Sequence, residues 1–161
     1  MPVNRQSPET LEIPTESDML GLGADLARVL AAGQVLYFSG ELGVGKTTLV
    51  RGILRGLGFE GRVKSPSFGL IESYPLQDFT IHHLDLYRLA DPEEIAFLGL
   101  EDLVGEDSVL LVEWPERGTG WLPPPSAEVA IRESGGTRFV ELSSGTGLFD
   151  ALVPLSNNPA G

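Results

Sequence analysis

Apolar positions along the chain change their period several times, and each change marks an element. Glu9 to Ile13 alternates weakly, which predicts a short edge strand. Met19, Leu22, Leu26, Val29 and Leu30 then fall at helical spacing. Thr15 or Ser17 stands where that helix needs its cap, and Gly33 follows at a C-terminal cap position. Val35 to Phe38 is a continuous apolar run of strand length, the pattern of a strand covered on both faces. Beyond a glycine-rich stretch, Leu49, Val50, Ile53, Leu54 and Leu57 share one face of a second helix, which ends at Gly58. Gly69 to Tyr74 and Thr80 to Leu86 read as strands around a turn at Pro75 to Asp78. Asp91-Pro92-Glu93-Glu94 supplies a cap, a proline at the first position and acids facing the dipole, so a short helix to about Leu98 is expected. Val109 to Val112 is another buried-type strand, and Trp121 to Pro125 is a proline-rich connector. Glu128 to Glu133 and Arg138 to Ser143, joined through Ser134-Gly135-Gly136-Thr137, predict a hairpin.

This order of elements is that of an α/β fold with a mostly parallel central sheet and a β-hairpin added near the C-terminus. The chain has 161 residues, 42% of them hydrophobic, which suits one domain over 9–155 with flexible ends at 1–8 and 156–161. Composition then narrows the function classes. Eleven basic residues stand against 23 acidic ones, a net charge of −12. Such a chain lacks the basic footprint that displaces counterions from phosphates, so no autonomous DNA or RNA binding is expected. The absence of cysteine excludes disulfides and thiolate metal sites. With neither an apolar run of membrane length nor a signal-type N-terminus, the expected location is cytoplasmic and no membrane contact is foreseen.

The glycine-rich stretch changes the picture most. Gly40-Glu41-Leu42-Gly43-Val44-Gly45-Lys46-Thr47 matches G-x-x-x-x-G-K-[ST], and Thr48 continues into the helix. Glycines let the backbone curl until successive N–H groups face phosphate oxygens. Lys46 adds a point charge, Thr47 offers a hydroxyl to Mg²⁺, and the following helix aims its positive end at the same place. Lys46 and Lys64 are the two lysines of the chain, and one of them falls at the required position. An apolar strand before the loop and an amphipathic helix after it complete the context of a P-loop NTPase-type, three-layer fold that takes ATP and Mg²⁺. A dinucleotide fingerprint fails, because position 48 is threonine rather than glycine.

Such a site also needs an acid near the metal and a group that orients water. Glu113 follows Val109-Leu110-Leu111-Val112 and is the candidate metal ligand, direct or through water. Asp85, in His82-His83-Leu84-Asp85-Leu86-Tyr87-Arg88, is the candidate catalytic acid; a structural pairing with Arg88 or a helix end is the plainer alternative. Neighbouring strand residues point to opposite faces, so His82 and His83 cannot easily share one metal. Ser65-Pro66-Ser67 lies where nucleotide-sensing segments occur, and its hydroxyls are switch candidates, with a plain turn as the other reading.

Four stretches together resemble the TsaE family, also called YjeE: Gly40 to Gly52, Val63 to Phe68, His83 to Leu89 and Val112 to Glu116. The resemblance runs from about 9 to 145. It implies a bacterial ATPase required for N6-threonylcarbamoyladenosine (t6A) formation on the adenosine beside the tRNA anticodon. The partners it implies are TsaD, which transfers the threonylcarbamoyl group, and TsaB, its scaffold; tRNA is met through the complex. It makes Lys46 the phosphate lysine, Thr47 and Glu113 the magnesium pair, Asp85 the acid needed for hydrolysis and Trp114 the tryptophan beside the nucleotide. Thr15 and Glu16 would lie near the base. Ser67 departs from the family's usual threonine but keeps the hydroxyl.

The main rival is a small-molecule P-loop kinase, with Arg51 and Arg55 at i and i+4 as phosphate clamps. No acceptor-binding lid is evident, and such arginines are more often a solvated face. A GTPase would need an N-K-x-D signature, and the asparagines are Asn4, Asn157 and Asn158. A non-hydrolysing module that uses ATP as a structural ligand is disfavoured by the full set of Lys46, Thr47, Asp85 and Glu113.

Overall fold

The computed structural model describes residues 9–63, 66, 70–145 and 148–149. The ends expected to be flexible, 1–8 and 156–161, lie outside the described residues, as do Ser65 and Ser67.

Strand β1 (Glu9–Ile13) leads into helix α1 (Glu16–Val29), and Thr15 is its cap: its side chain accepts from the Asp18 N–H while Asp18 reaches back to the Thr15 N–H. Leu30, not Gly33, is the C-terminal cap; Gly33 turns the chain into β2 (Val35–Ser39), with φ +93° and its N–H on the Ser108 carbonyl. Helix α2 (Lys46–Gly56) follows the glycine-rich loop. It closes with Gly58 at φ +95° and two return bonds, Gly58 N–H to Arg55 and Phe59 N–H to Leu54. Strands β3 (Ile71–Pro75) and β4 (Thr80–Asp85) form the expected hairpin. Asp91 caps the next segment through a capping box with Glu94, but Pro92–Leu98 winds as a 3-10 helix. A single helical turn, α3 (Leu100–Leu103), precedes β5 (Ser108–Glu113), and a short 3-10 turn spans Pro115–Gly118. Strands β6 (Ala127–Ser134) and β7 (Thr137–Ser144) are the C-terminal hairpin.

Among the described residues seven strands form one sheet, in the order β1-β7-β6-β2-β5-β4-β3. The expectation of a mostly parallel sheet is corrected here, since the sheet is mixed. Pairings β6–β2, β2–β5 and β5–β4 are parallel, whereas β1–β7, β7–β6 and β4–β3 are antiparallel. The cause is connection length. Parallel neighbours need a crossover, and the tight turns after β3 and β6 leave no room for one.

Helices α1 and α2 cover one face of the sheet, over Leu36, Phe38, Ile81, Val109, Leu111 and Val129. Ile95 and Leu100 from the short helical segments cover the other, over Val35, Leu84, Leu110 and Val112. Side chains alternate between faces along each strand. Ile81, Val109 and Leu111 thus fix Asp85 and Glu113 at strand ends on the α1–α2 side, and β4 and β5 pair them directly, Asp85 opposite Glu113.

Candidate functional site

Strand β2 ends at the loop and α2 begins beside the C-terminal ends of β4 and β5. The loop bends where glycine is needed: Gly40, Gly43 and Gly45 have φ of +144°, +77° and +122°. A Cβ on Gly40 would lie 2.5 Å from the Ile131 carbonyl oxygen, so the loop is also held tightly against β6. Among the described residues no side chain caps α2, which leaves its first-turn N–H groups turned toward the loop.

Lys46 is buried, 4% exposed, and donates from Nζ to the carbonyls of Gly40 and Glu41. Its ammonium lies 3.8 Å from the centre of the Trp114 ring. Burial pushes its pKa below the usual lysine value, against the pull of Glu113, Glu116, Asp85 and Glu41. Thr47 donates its hydroxyl to Glu113 Oε2 at 3.0 Å. Glu113 is 2% exposed, and the same oxygen meets His83 Nε2 at 2.7 Å. Asp85 stands opposite Glu113 in register, with Oδ1 accepting from the Tyr87 N–H at 3.1 Å. Burial first, and the Glu113 charge second, push the Asp85 carboxyl above the usual carboxylate range.

Trp114 follows Glu113 in the left-handed region, φ +58°, a conformation that costs a non-glycine residue of order 1 kcal/mol or more. Its ring centre lies 5.0 Å from that of Tyr87, the two rings tilted by 47°, and the Arg117 guanidinium lies over both.

These groups line a cleft of about 610 Å³, walled by Gly43, Gly45, Lys46, Thr47, Thr48, Asp85, Glu113 and Trp114 together with Glu16, Met19, Tyr87, Arg88 and Arg138. Leu42, at the loop tip, also lines the cleft and is 66% exposed. Of the two residues expected near a base, Glu16 reaches the cleft while Thr15 is occupied in the capping box. Ser65 and Ser67 are not described, but Pro66 between them lies on the cleft wall. Arg51 and Arg55 are elsewhere: Arg51 lies 3.7 Å from Glu16, and Arg55 donates to the carbonyls of Phe59 and Gly61. His82 and His83 do point apart, His82 to Ser73 and His83 to Glu113.

Sequence reasoning missed Arg138. It comes from β7, far along the chain, and its guanidinium reaches the Gly43 carbonyl at 3.5 Å. The β6–β7 hairpin was expected, but its place beside β2, with Gly40 packed on Ile131, was not, and that placement brings Arg138 to the loop. His83 was missed as a partner of Glu113. The β4–β5 register that makes them neighbours is not written in either strand.

Oxygen donors from a hydroxyl and two carboxylates, beside a buried ammonium and an open helix N-terminus, suit a divalent cation held with an anionic group. The family model "Threonylcarbamoyl adenosine biosynthesis protein TsaE" matches residues 13–140. The tRNA threonylcarbamoyladenosine biosynthesis protein TsaE of Haemophilus influenzae is 42% identical over 154 residues, covering 92% of this chain and 98% of its own. The protein of the same name from Borreliella burgdorferi is 30% identical over 135 residues, 83% of this chain and 98% of its own. The crystal structure of Bacillus subtilis YdiB superimposes with a TM-score of 0.78 at 23% identity, covering 99% of this chain and all of that one, a likeness of fold.

Proposed function

The chain belongs to the TsaE family, and from that premise we propose that it binds ATP with Mg²⁺ at the Gly40–Thr47 loop and hydrolyses it in the cytoplasm to support t6A formation on tRNA, coupled to TsaB and TsaD. The observation that carries the reading is the meeting of the Thr47 hydroxyl and the Glu113 carboxylate, 3.0 Å apart, at the first turn of α2 beside buried Lys46.

The roles follow from placement. Loop N–H groups and the α2 N-terminus receive the phosphates. Lys46 exchanges its two carbonyl partners for phosphate oxygens, which hold a cation more strongly. Thr47 and Glu113 would hold Mg²⁺, which would supply charge to offset that of the phosphates. Asp85, with its carboxyl held above the usual range, orients the attacking water and accepts its proton. Trp114 and Tyr87 wall the phosphate end against solvent. Glu16 and Met19, from α1, line the cleft, and the base would lie against them.

Phosphate release from ATP is measured with the purified protein alone and with TsaB, TsaD and tRNA added. Slow release alone, faster release in the complex, and loss of both in Lys46→Ala are expected. Unreacted ATP in both conditions would sink the reading. A phosphorylated acceptor in place of free phosphate would replace it with a small-molecule kinase.

A further inference from the structure

His83 has no part in the roles above, yet it is the most enclosed polar side chain of the site, with 0% of its surface exposed. It lies two residues before Asp85 on the same face of β4, packed under α2. The β4–β5 register sets His83 opposite Leu111, so Glu113 is its diagonal neighbour on that face. A carboxylate oxygen only accepts. Oε2 of Glu113 therefore receives two donors, the Thr47 hydroxyl at 3.0 Å and the His83 Nε2–H at 2.7 Å. With Nε2 donating, the ring's other nitrogen is Nδ1, which is buried and has no partner among the described residues. Among the described residues the imidazole thus has one hydrogen-bond partner, Glu113.

We propose that His83 is a positioning residue: it pins Oε2 of the Glu113 carboxylate, the oxygen that the Thr47 hydroxyl also meets, and so holds the carboxylate in the rotamer that metal binding by Glu113 and Thr47 requires. The proposal rests on the Mg²⁺·ATP reading of this site. A carboxylate on a short, buried tether has several rotamers, and a metal meets the right one only if something fixes it. Thr47 cannot do this alone, because its hydroxyl is itself needed at the metal. Partners of this kind, one bond removed from a metal, change its affinity when lost without touching the other ligands.

Equilibrium binding of a fluorescent ADP analogue, measured as Mg²⁺ is raised and again in EDTA, tests this without relying on turnover. His83→Leu removes the donor, and His83→Gln places an amide N–H near the Nε2 position. Both are checked for cooperative melting. In His83→Leu the Mg²⁺ concentration for half-maximal effect is expected to rise about tenfold or more, with affinity in EDTA unchanged. His83→Gln is expected to recover most of the difference. If the leucine variant does not fold, His83→Asn, whose amide is too short to reach Oε2, takes its place in the same comparison. An unchanged Mg²⁺ requirement, or an equal loss of affinity in EDTA, overturns the proposal and makes His83 a packing residue. Wild-type binding that ignores Mg²⁺ altogether would instead remove the Mg²⁺·ATP reading, and the proposal with it.

Discussion

Asp85 shows at the scale of one side chain how the site is kept at some cost to the fold. Its carboxyl is raised by burial and by Glu113, so the folded chain holds that proton to higher pH than the unfolded chain does. The linkage sign follows. Stability from this group is present at low pH and is lost as pH rises through the raised value. Asp85→Asn keeps an Oδ1 acceptor for the Tyr87 N–H and removes the charge. The variant is expected to melt on the order of 2–4 °C higher at neutral pH, equivalent to about 1 kcal/mol in a chain of this size. That gain should shrink toward zero as pH falls through the ordinary carboxylate range, while phosphate release drops by about a hundredfold or more. Melting curves across pH check the first part and turnover the second. A variant that melts lower at neutral pH would mean that Asp85 is a structural acid.

Elements are positioned by contacts that no single side chain reveals. Helices α1 and α2 touch through glycine: a Cβ on Gly23 would lie 2.7 Å from the Gly52 backbone, and one on Gly52 would lie 2.5 Å from the Leu20 carbonyl oxygen. Backbone atoms cannot yield as a flexible side chain can, so Gly52→Ala is expected to cost about 1–3 kcal/mol by overpacking. Gly21, on the same α1, has nothing within 4 Å, and Gly21→Ala should stabilise by about 0.5–1 kcal/mol. Chemical denaturation of the two variants gives opposite signs if this packing is right. Because α2 carries Lys46 and Thr47, Gly52→Ala should also weaken nucleotide binding, whereas Gly21→Ala should not. Periodicity made the helices and strands legible, and the loop motif and the acid ending an apolar strand made Lys46, Thr47 and Glu113 legible. The glycine contact was not, because nothing in either helix's own pattern marks which glycine meets the other helix. The 3-10 winding of Pro92–Leu98 was also hidden, since its capping box and proline are those of an α-helix.

Across the whole molecule, the parallel strands β6, β2, β5 and β4 form the centre, and antiparallel strands finish both sides. The turns marked two antiparallel hairpins, but which strands pair in parallel, and that β1 joins β7 antiparallel, emerged only from the pairing. Truncation after Ser126 would remove β6 and β7, uncover the edge of β2 and strip β1 of its neighbour. The shortened chain is expected to aggregate and to lose cooperative melting, although the loop, Asp85 and Glu113 all remain in its sequence. A soluble, cooperatively melting fragment would show that the hairpin is an accessory.

The pairing of Glu9 with Leu142 joins the two ends of the chain's strand order. During synthesis the first strand made is therefore the last to find its neighbour, because β7 leaves the ribosome only after every other strand. Until then β1 is an unpaired edge, while the residues that meet at Glu113 are already available to one another. Loop closure over so long a separation is slow, so β1 docking should be the late phase of refolding. Ligand added before that phase would meet the loop, Glu113 and Arg138, which the β6–β7 hairpin carries, while β1 is still undocked.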